Sequence, residues 1–338
     1  MTRGELLRKL FRSYASQDSY AFRAAALEII AEEQQKQNHA LARDLLNILE
    51  EPRSISKTGD LSRKSSLPAD RDNQLNLIEL RNPVHDLSDV VLSDKNRDQI
   101  LRILTEYKRS EMLKMHGLKP KMRILLAGPS GTGKTLCAEI IAKELHLPLL
   151  YARFDSIISS YLGETSSNLR KIFEYAKTGR FVILLDEFDT VGKSRINSND
   201  HGELNRAVNN FLQIMDDFHG DSIIIAATNN PDVLDMALWR RFDEVVQFEK
   251  PSGFEIRVLL EMKLKNFPLY NVNLNEFAKE LSGLSQAEIE WICLDAIKSA
   301  IIHDLGEVTQ SILDESLTRQ RNRGAVTSSK KVKRVNHA

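Results

Sequence analysis

RILLAGPSGTGKT, residues 123–135, determines which architecture this chain can adopt. A short apolar run is followed by the pattern G-x-x-x-x-G-K-[ST], which forms a phosphate-binding loop when it lies between a strand and a helix. The glycines let backbone N–H groups close around phosphates, and the N-terminus of the next helix adds the positive end of its dipole. The pattern predicts a phosphate-binding loop made of Gly128, Pro129, Ser130, Gly131, Thr132, Gly133, Lys134 and Thr135.

Lys134 and Thr135 end this loop and carry its charge chemistry. We expect the Lys134 ammonium to reach the β- and γ-phosphates of ATP, and the Thr135 hydroxyl to ligate Mg²⁺. The second half of the site is predicted in FVILLDEFD, residues 181–189, a buried strand that ends in acids. Open α/β sheets bind ligands at the carboxyl ends of their strands, so Asp186 is predicted to hold Mg²⁺ through water. Glu187 is predicted to orient and activate the water that attacks the phosphate.

Short apolar segments alternate with amphipathic segments around the loop, which is typical of a parallel sheet with helices on both faces. Strands are predicted at 123–127, 148–153, 181–189, 222–230 and 244–248, and helices at 94–116, 134–145, 164–177 and 202–217. The predicted fold class is therefore α/β, a P-loop NTPase sheet flanked by helices. After about residue 251 only helical patterns remain, which predicts a small C-terminal helical lid.

The segments that flank this core differ from it in composition. Apolar residues recur at helical spacing in 1–50, which predicts a three-helix bundle that serves as an adaptor for substrates or partners. Residues 51–82 are assigned to a linker, 83–249 to the large ATPase domain and 250–317 to the lid. The segment 318–338 carries seven Lys or Arg residues and no acid, and is predicted to be a disordered tail. A basic arm that binds nucleic acid or a partner is the alternative.

Composition argues against several other classes of protein. The formal net charge is zero, so no overall attraction to nucleic acid or to an acidic membrane is indicated. Cys137 and Cys293 lie in apolar helical patterns and are expected to be reduced, which predicts a cytoplasmic protein, as does the lack of a secretory signal. The longest apolar runs are too short to span a bilayer, and the eight histidines show no spacing typical of a metal site.

Several motifs, in the same order, resemble those of the AAA family of ATPases, in the branch that includes katanin, spastin and the ESCRT-disassembling ATPase. The resemblance runs from residue 83 to residue 305. Within it, IIIAATNNPDVLDMAL (223–238) is similar to the family's second region of homology. This similarity implies that Asn229 is the polar sensor residue that helps to place the attacking water.

WRRFDEVVQF, residues 239–248, resembles the arginine-finger segment of the family. The resemblance implies that Arg240 and Arg241 enter the active site of a neighbouring subunit, and hence that the protein forms a homo-oligomeric ring, a hexamer. The lid sequence LSGLSQAEIEW resembles a family motif, but it has Gln286-Ala287 where Gly-Ala is usual. DNA-handling relatives generally place an arginine near this point, and its absence favours the protein-remodelling branch.

The triplet Tyr161-Leu162-Gly163 resembles the first pore loop of the family, an aromatic, an apolar residue and a glycine before a helix. A ring of such residues would grip an extended peptide with little regard to its sequence, because the aromatic side chain supplies apolar area. HGELNR (201–206) falls where a second pore loop would lie, and His201 and Arg206 are its candidate contacts. A solvated helix start is the alternative for that segment.

The resemblance implies an enzyme that hydrolyses ATP to ADP and phosphate while it threads or unfolds a protein substrate. It extends to small one-module AAA proteins of bacteria and mobile elements. Some of these are encoded beside a subtilisin-like serine protease and serve in bacterial defence, which implies a separate serine protease as partner. Two alternatives remain open: a nucleic-acid-associated AAA switch, supported only by the basic tail, and an ATP-gated regulatory scaffold.

Overall fold

A computed structural model of the chain describes residues 77–159, 165–189, 201–234 and 236–335, together with residue 68 and short pieces at 8–9, 11 and 25–31. The chain divides into two compact units, Met1–Ser62 and Arg63–Ala338. In the first unit residues 25–31 are helical, Ala25 and Ile30 are buried, and Lys9 forms an ion pair of 3.0 Å with Glu28. The rest of the predicted three-helix bundle lies outside the described residues.

The second unit contains a mostly parallel sheet, as predicted. The sheet has six strands, one more than the sequence predicted, in the order β1-β3-β4-β5-β2-β6. Its strands are β1 (Glu79–Arg81), β2 (Arg123–Ala127), β3 (Leu149–Arg153), β4 (Val182–Asp186), β5 (Ile223–Thr228) and β6 (Glu244–Gln247). Strand β1 pairs antiparallel with β3, and all other pairings are parallel. The carboxyl ends of β2, β4 and β5 therefore meet at one edge, where a ligand is expected.

Strand β1 lies inside the segment that the sequence assigns to a linker, so the predicted linker 51–82 is wrong at its C-terminal end. Ile78 is almost fully buried, and the backbone N–H of Leu77 donates to the Pro68 carbonyl at 2.8 Å. A strand of three residues between polar neighbours is too short to show the alternation by which strands are recognised. Its pairing with β3 places these residues in the core.

Helices cover both faces of the sheet because every central strand is apolar on both sides. In the described part of the large domain they are α1 (Asp94–Lys108), α2 (Ser110–Met115), α3 (Lys134–Glu144), α4 (Phe154–Ser159), α5 (Thr165–Ala176), α6 (His201–Asp216) and α7 (Met236–Trp239). On one face Phe154, Phe173, Phe188 and Phe211 pack edge to face. On the other face α1 and α3 bury Ile100, Ile103 and Ile141.

The lid is a separate cluster of helices. The sequence predicted that it is purely helical, but it also contains two short strands. It contains α8 (Gly253–Leu264), α9 (Leu274–Glu280), α10 (Gln286–Ile302) and α11 (Gln310–Val335) around a core that includes Leu260, Phe277 and Ile292. A two-stranded parallel sheet joins β7 (Leu269–Tyr270) to β8 (Val308–Thr309). Strands of two residues carry no pattern in the sequence, since only their mutual pairing defines them.

Helix α11 also corrects the prediction of a disordered tail, because it runs past Thr318 to Val335. The first half of that segment is anchored to the lid. Arg319 forms an ion pair of 3.0 Å with Asp295, and the Arg323 guanidinium lies 4.7 Å from the centre of the Trp291 ring. Two of the seven basic residues that suggested a free tail therefore have partners on the lid. In the described part of the chain, no helix has the length and apolarity needed to cross a membrane.

Candidate active site

The loop between β2 and α3 has a backbone that favours glycine at several positions, among them Gly128 and Gly133. Gly133 caps α3 with φ of 89°, in the left-handed region. A Cβ at Gly128 would overlap the carbonyl oxygen of Phe248, which follows β6. The Thr132 hydroxyl donates to the Pro129 carbonyl at 2.8 Å and is fully buried. The loop is therefore held by its own contacts, with the N-terminus of α3 behind it.

Lys134 is the first residue of α3 and is almost completely buried. Its Nζ donates to the Gly128 carbonyl at 2.8 Å and to the Pro129 carbonyl at 2.7 Å. Burial lowers the pKa of Lys134 to about 8, although the negative charge of Asp186 and its neighbours partly opposes that effect. The ammonium thus lies across the start of the loop and holds its proton weakly.

Strand β4 brings an acid to the hydroxyl at the start of α3. The Thr135 Oγ1 donates to Asp186 Oδ2 at 3.0 Å, although 51 positions separate the two residues in sequence. Asp186 also accepts the backbone N–H of Glu187 at 2.9 Å. A hydroxyl and a carboxylate oxygen in contact are the hard oxygen donors that Mg²⁺ prefers, so this pair fits the predicted metal.

Glu187 adopts a backbone conformation that non-glycine residues rarely use. Its φ is 56°, in the left-handed region, which costs about 1–2 kcal/mol. The next residue supports this turn: Phe188 is fully buried among the aromatic rings, and its N–H donates to the Ala227 carbonyl at 2.9 Å. Strain of this kind, held by a rigid surround, is typical of functional positions.

Asn229 follows β5 and lies beside this turn. Its Nδ2 donates to Glu187 Oε2 at 3.4 Å, so the structure brings together the residues predicted to be the base and the sensor. Its backbone N–H donates to Asp189 Oδ1 at 3.4 Å, and Asp189 is only 1% exposed. The sequence prediction did not assign Asp189; the third acid of the DEFD run was the signal available for it.

Arg240 and Arg241 lie at the other edge of the sheet. The N–H groups of Met122 and Arg123, at the start of β2, both donate to Asp243 Oδ2 at 2.9 Å, while the phosphate loop follows the end of β2. The four residue steps of β2 span about 13 Å. Arg240 is exposed, whereas Arg241 forms an ion pair of 3.0 Å with Asp216 at the end of α6. The structure therefore does not bring these arginines to Asp186 or Glu187 of their own chain.

The predicted pore-loop residues Tyr161, Leu162 and Gly163 lie outside the described residues, between the end of α4 and the start of α5. His201 and Arg206 fall on the first turns of α6, where the backbone is described but these side chains are not. The contacts of both segments stay predictions.

The lid contacts the phosphate loop directly, a feature that the sequence could not show. The N–H of Ala287 donates to the Gly131 carbonyl at 2.9 Å, and Gln286 Nε2 donates to the Val91 carbonyl at 2.9 Å. Ser285 caps α10 in a capping box with Glu288. The unusual Gln286-Ala287 pair therefore lies at the loop itself, and only the folded chain brings positions 91, 131 and 286 together.

Comparison with known proteins agrees with this geometry. Residues 124–250 match the family described as "ATPase family associated with various cellular activities (AAA)". An uncharacterised AAA family ATPase named y4kL, from Sinorhizobium fredii, is 40% identical over 96% of this chain and 97% of its own length. The ATP-dependent zinc metalloprotease FtsH of Helicobacter pylori is 36% identical over 72% of this chain, but over only 40% of its own length. A cell division cycle protein 48 homolog of Archaeoglobus fulgidus is 36% identical, over 60% of this chain and 28% of its own length. The chain belongs to the AAA family of ATPases, and it hydrolyses ATP.

Proposed function

We propose that this ATPase works as a homo-oligomeric ring, a hexamer, that uses ATP to pull on protein substrates. One observation carries the proposal: the segment with Arg240 and Arg241 lies beside the start of β2, while the phosphate loop follows its end. Arginines at that edge cannot neutralise phosphates bound by their own loop. They can do so in a ring, where this edge of one subunit meets the loop of the next.

Within one subunit, the phosphate loop and the ends of β4 and β5 have different roles in ATP hydrolysis. The backbone N–H groups of 128–133 and the Lys134 ammonium bind the phosphates, which offer Lys134 stronger acceptors than the loop carbonyls. Thr135 and Asp186 hold Mg²⁺, which when bound neutralises charge on the phosphates. Glu187 orients the attacking water and takes its proton, and the amide of Asn229 fixes the position of the Glu187 carboxylate.

The two arginines have different surroundings and therefore different roles in the proposed interface. Arg240 is exposed and free to project from the protomer toward the transferring phosphate of its neighbour, a contribution of about 10³–10⁵ in rate in other phosphoryl-transfer systems. Arg241 is half-buried and paired with Asp216, which also lies 3.8 Å from the Arg123 guanidinium. Arg241 thus anchors the segment in its own subunit as well as contributing charge.

A protein substrate is supported by relatives and by the sequence of the predicted pore loop. FtsH is named an ATP-dependent zinc metalloprotease, so a relative of this ATPase module acts in protein cleavage. Some of the small one-module AAA proteins that this sequence resembles are encoded beside a subtilisin-like serine protease. We propose that such a separate protease receives the threaded chain in a cytoplasmic defence system. Tyr161, Leu162 and Gly163 are the proposed grip on the substrate.

The nucleic-acid alternative loses part of its support. Three of the seven basic residues after Thr318 are Arg319, Arg321 and Arg323, and all three contact the lid. A regulatory scaffold would use the same nucleotide residues as a motor, so only a measurement of work on a substrate separates these two functions.

The test compares Tyr161→Ala with Tyr161→Phe, which keeps the aromatic ring. ATP hydrolysis and unfolding of a tagged fluorescent substrate protein are measured for each variant. We expect Tyr161→Ala to keep at least about half of the basal hydrolysis and to lose unfolding, because the grip on the chain depends on aromatic area. Tyr161→Phe should retain both activities. If Tyr161→Ala unfolds the substrate at the normal rate, the proposed threading function is contradicted. If the unmodified protein hydrolyses ATP without unfolding the substrate, the regulatory scaffold is favoured.

A further inference from the structure

The nucleoside end of the bound nucleotide must leave the phosphate loop on a defined side. Asp186 ends β4 and Asn229 follows β5, and both strands lie on one side of β2 in the sheet. The terminal phosphate faces those residues if they hold the metal and place the water. The nucleoside then leaves on the opposite side of β2, toward β6 and α1, which are tied together by the Asn96 side chain donating to the Gln247 carbonyl at 3.0 Å.

Gln286 occupies that side of the loop. Its Nε2 donates to the Val91 carbonyl at 2.9 Å, just before α1. Its Oε1 would lie 2.9 Å from a Cβ placed on Gly133, the loop residue that caps α3, and the Val90 side chain would lie 3.8 Å from the same point. The amide of Gln286 is therefore wedged between the lid, the residues that precede α1 and the phosphate loop.

The geometry points to Gln286 as a specificity-determining residue that selects a purine with an amino group at position 6. This inference rests on the phosphate site proposed above. A side-chain amide alone discriminates poorly, because it can rotate by half a turn and exchange donor for acceptor. Here the Val91 carbonyl can only accept, so it fixes Nε2 toward itself and leaves Oε1 as an acceptor.

An acceptor fixed in this way distinguishes the two common purine types. A 6-amino group donates to Oε1 and to the second lone pair of the Val91 carbonyl. A 6-oxo group would place its own lone pairs against those two oxygens, and it offers them no donor at position 6. The Gln286 side chain also bridges lid and large domain, so base recognition and lid position depend on the same amide.

The experiment compares ATP with inosine triphosphate, which replaces the 6-amino group by a 6-oxo group. Dissociation constants are measured by displacement of a fluorescent ATP analogue from the full chain, for the unmodified protein, for Gln286→Met and for Gln310→Met. Gln310 lies in the same lid with its amide on Asp314, so its variant is a matched control. We expect the unmodified protein and the control to prefer ATP by about 10- to 100-fold.

Gln286→Met keeps the length of the side chain and removes both the donor and the acceptor. We expect its preference for ATP to fall to within about 3-fold, mainly through weaker ATP binding. An equal loss of affinity for both nucleotides would overturn the inference, since Gln286 would then only dock the lid. Equal affinities of the unmodified protein for the two nucleotides would also overturn the inference, but they would not contradict the phosphate site. Binding of neither nucleotide would instead refute the phosphate site itself. If the Met variant does not fold, Gln286→Asn takes its place in the experiment. Its amide is too short to span Val91 and the loop, so it should also lose the preference for ATP.

Discussion

ATP binding should weaken as the pH rises above about 8, because Lys134 then loses its proton in the free protein. Burial lowers the pKa of this residue to about 8 from its ordinary 10.5. A bound triphosphate places several negative charges near the ammonium, which favours the protonated form and raises its pKa again. The free form therefore binds fewer protons than the complex above this pH, and binding must take up a proton.

The size of the effect follows from these two values. If the pKa in the complex returns to its ordinary value, the dissociation constant grows in inverse proportion to the protonated fraction of the free protein. It rises about 2-fold at pH 8, about 10-fold at pH 9 and about 30-fold at pH 9.5. Binding near pH 9 should take up about 0.9 proton per site.

Titration calorimetry checks both numbers, because buffers with different ionisation enthalpies reveal the protons taken up. Lys134→Met is the control: its affinity is low at every pH and should not change over this range. A dissociation constant that stays level between pH 8 and 9.5 in the unmodified protein would contradict the account of Lys134, as would an equal slope in Lys134→Met.

Two further changes test the structure around the site. Gly128→Ala should lower the free energy of unfolding by more than about 2 kcal/mol in thermal melts, because its Cβ would overlap the Phe248 carbonyl. Gly253→Ala, with open space around it at the start of α8, should melt at or slightly above the unmodified temperature. Asp216→Asn should reduce kcat for ATP by about 10-fold with little change in KM, because Arg241 loses its anchoring charge. Asp217 is the exposed neighbour of Asp216, and Asp217→Asn should leave both constants unchanged. If Asp217→Asn lowers kcat as much as Asp216→Asn does, the charge at the end of α6 matters and not the ion pair.

The phosphate loop and the acids of β4 could be predicted from the sequence because their chemistry lies in contiguous residues. GPSGTGKT supplies the turn, the charge and the helix start together, and a buried strand followed by Asp186 and Glu187 needs only its place in the sheet. The contact of Thr135 with Asp186 then follows from parallel strands that share one edge. The sensor and arginine segments needed the resemblance to a family, since Asn229 and Arg240 carry no local pattern.

Features that depend on distant contacts could not be predicted. Strand β1 exists because three residues pair with β3, and the strands of the lid exist because two residues pair with two others. Gln286 reaches Val91 across 195 positions of sequence. The basic segment after Thr318 looked like a free tail because charge runs usually are solvated, but Asp295 and the Trp291 ring give two of its arginines partners on the lid.

A shared active site can be tested by mixing two inactive variants. Glu187→Gln removes the base and keeps the arginines, whereas Arg240→Ala keeps the base and lacks the exposed arginine. If each site takes its base from one subunit and its arginine from the next, random mixed rings regain activity at about a quarter of their interfaces. We predict ATP hydrolysis in the equimolar mixture well above that of either variant alone. A mixture no more active than its two components, or full activity of Arg240→Ala as a dilute monomer, would contradict the proposed ring.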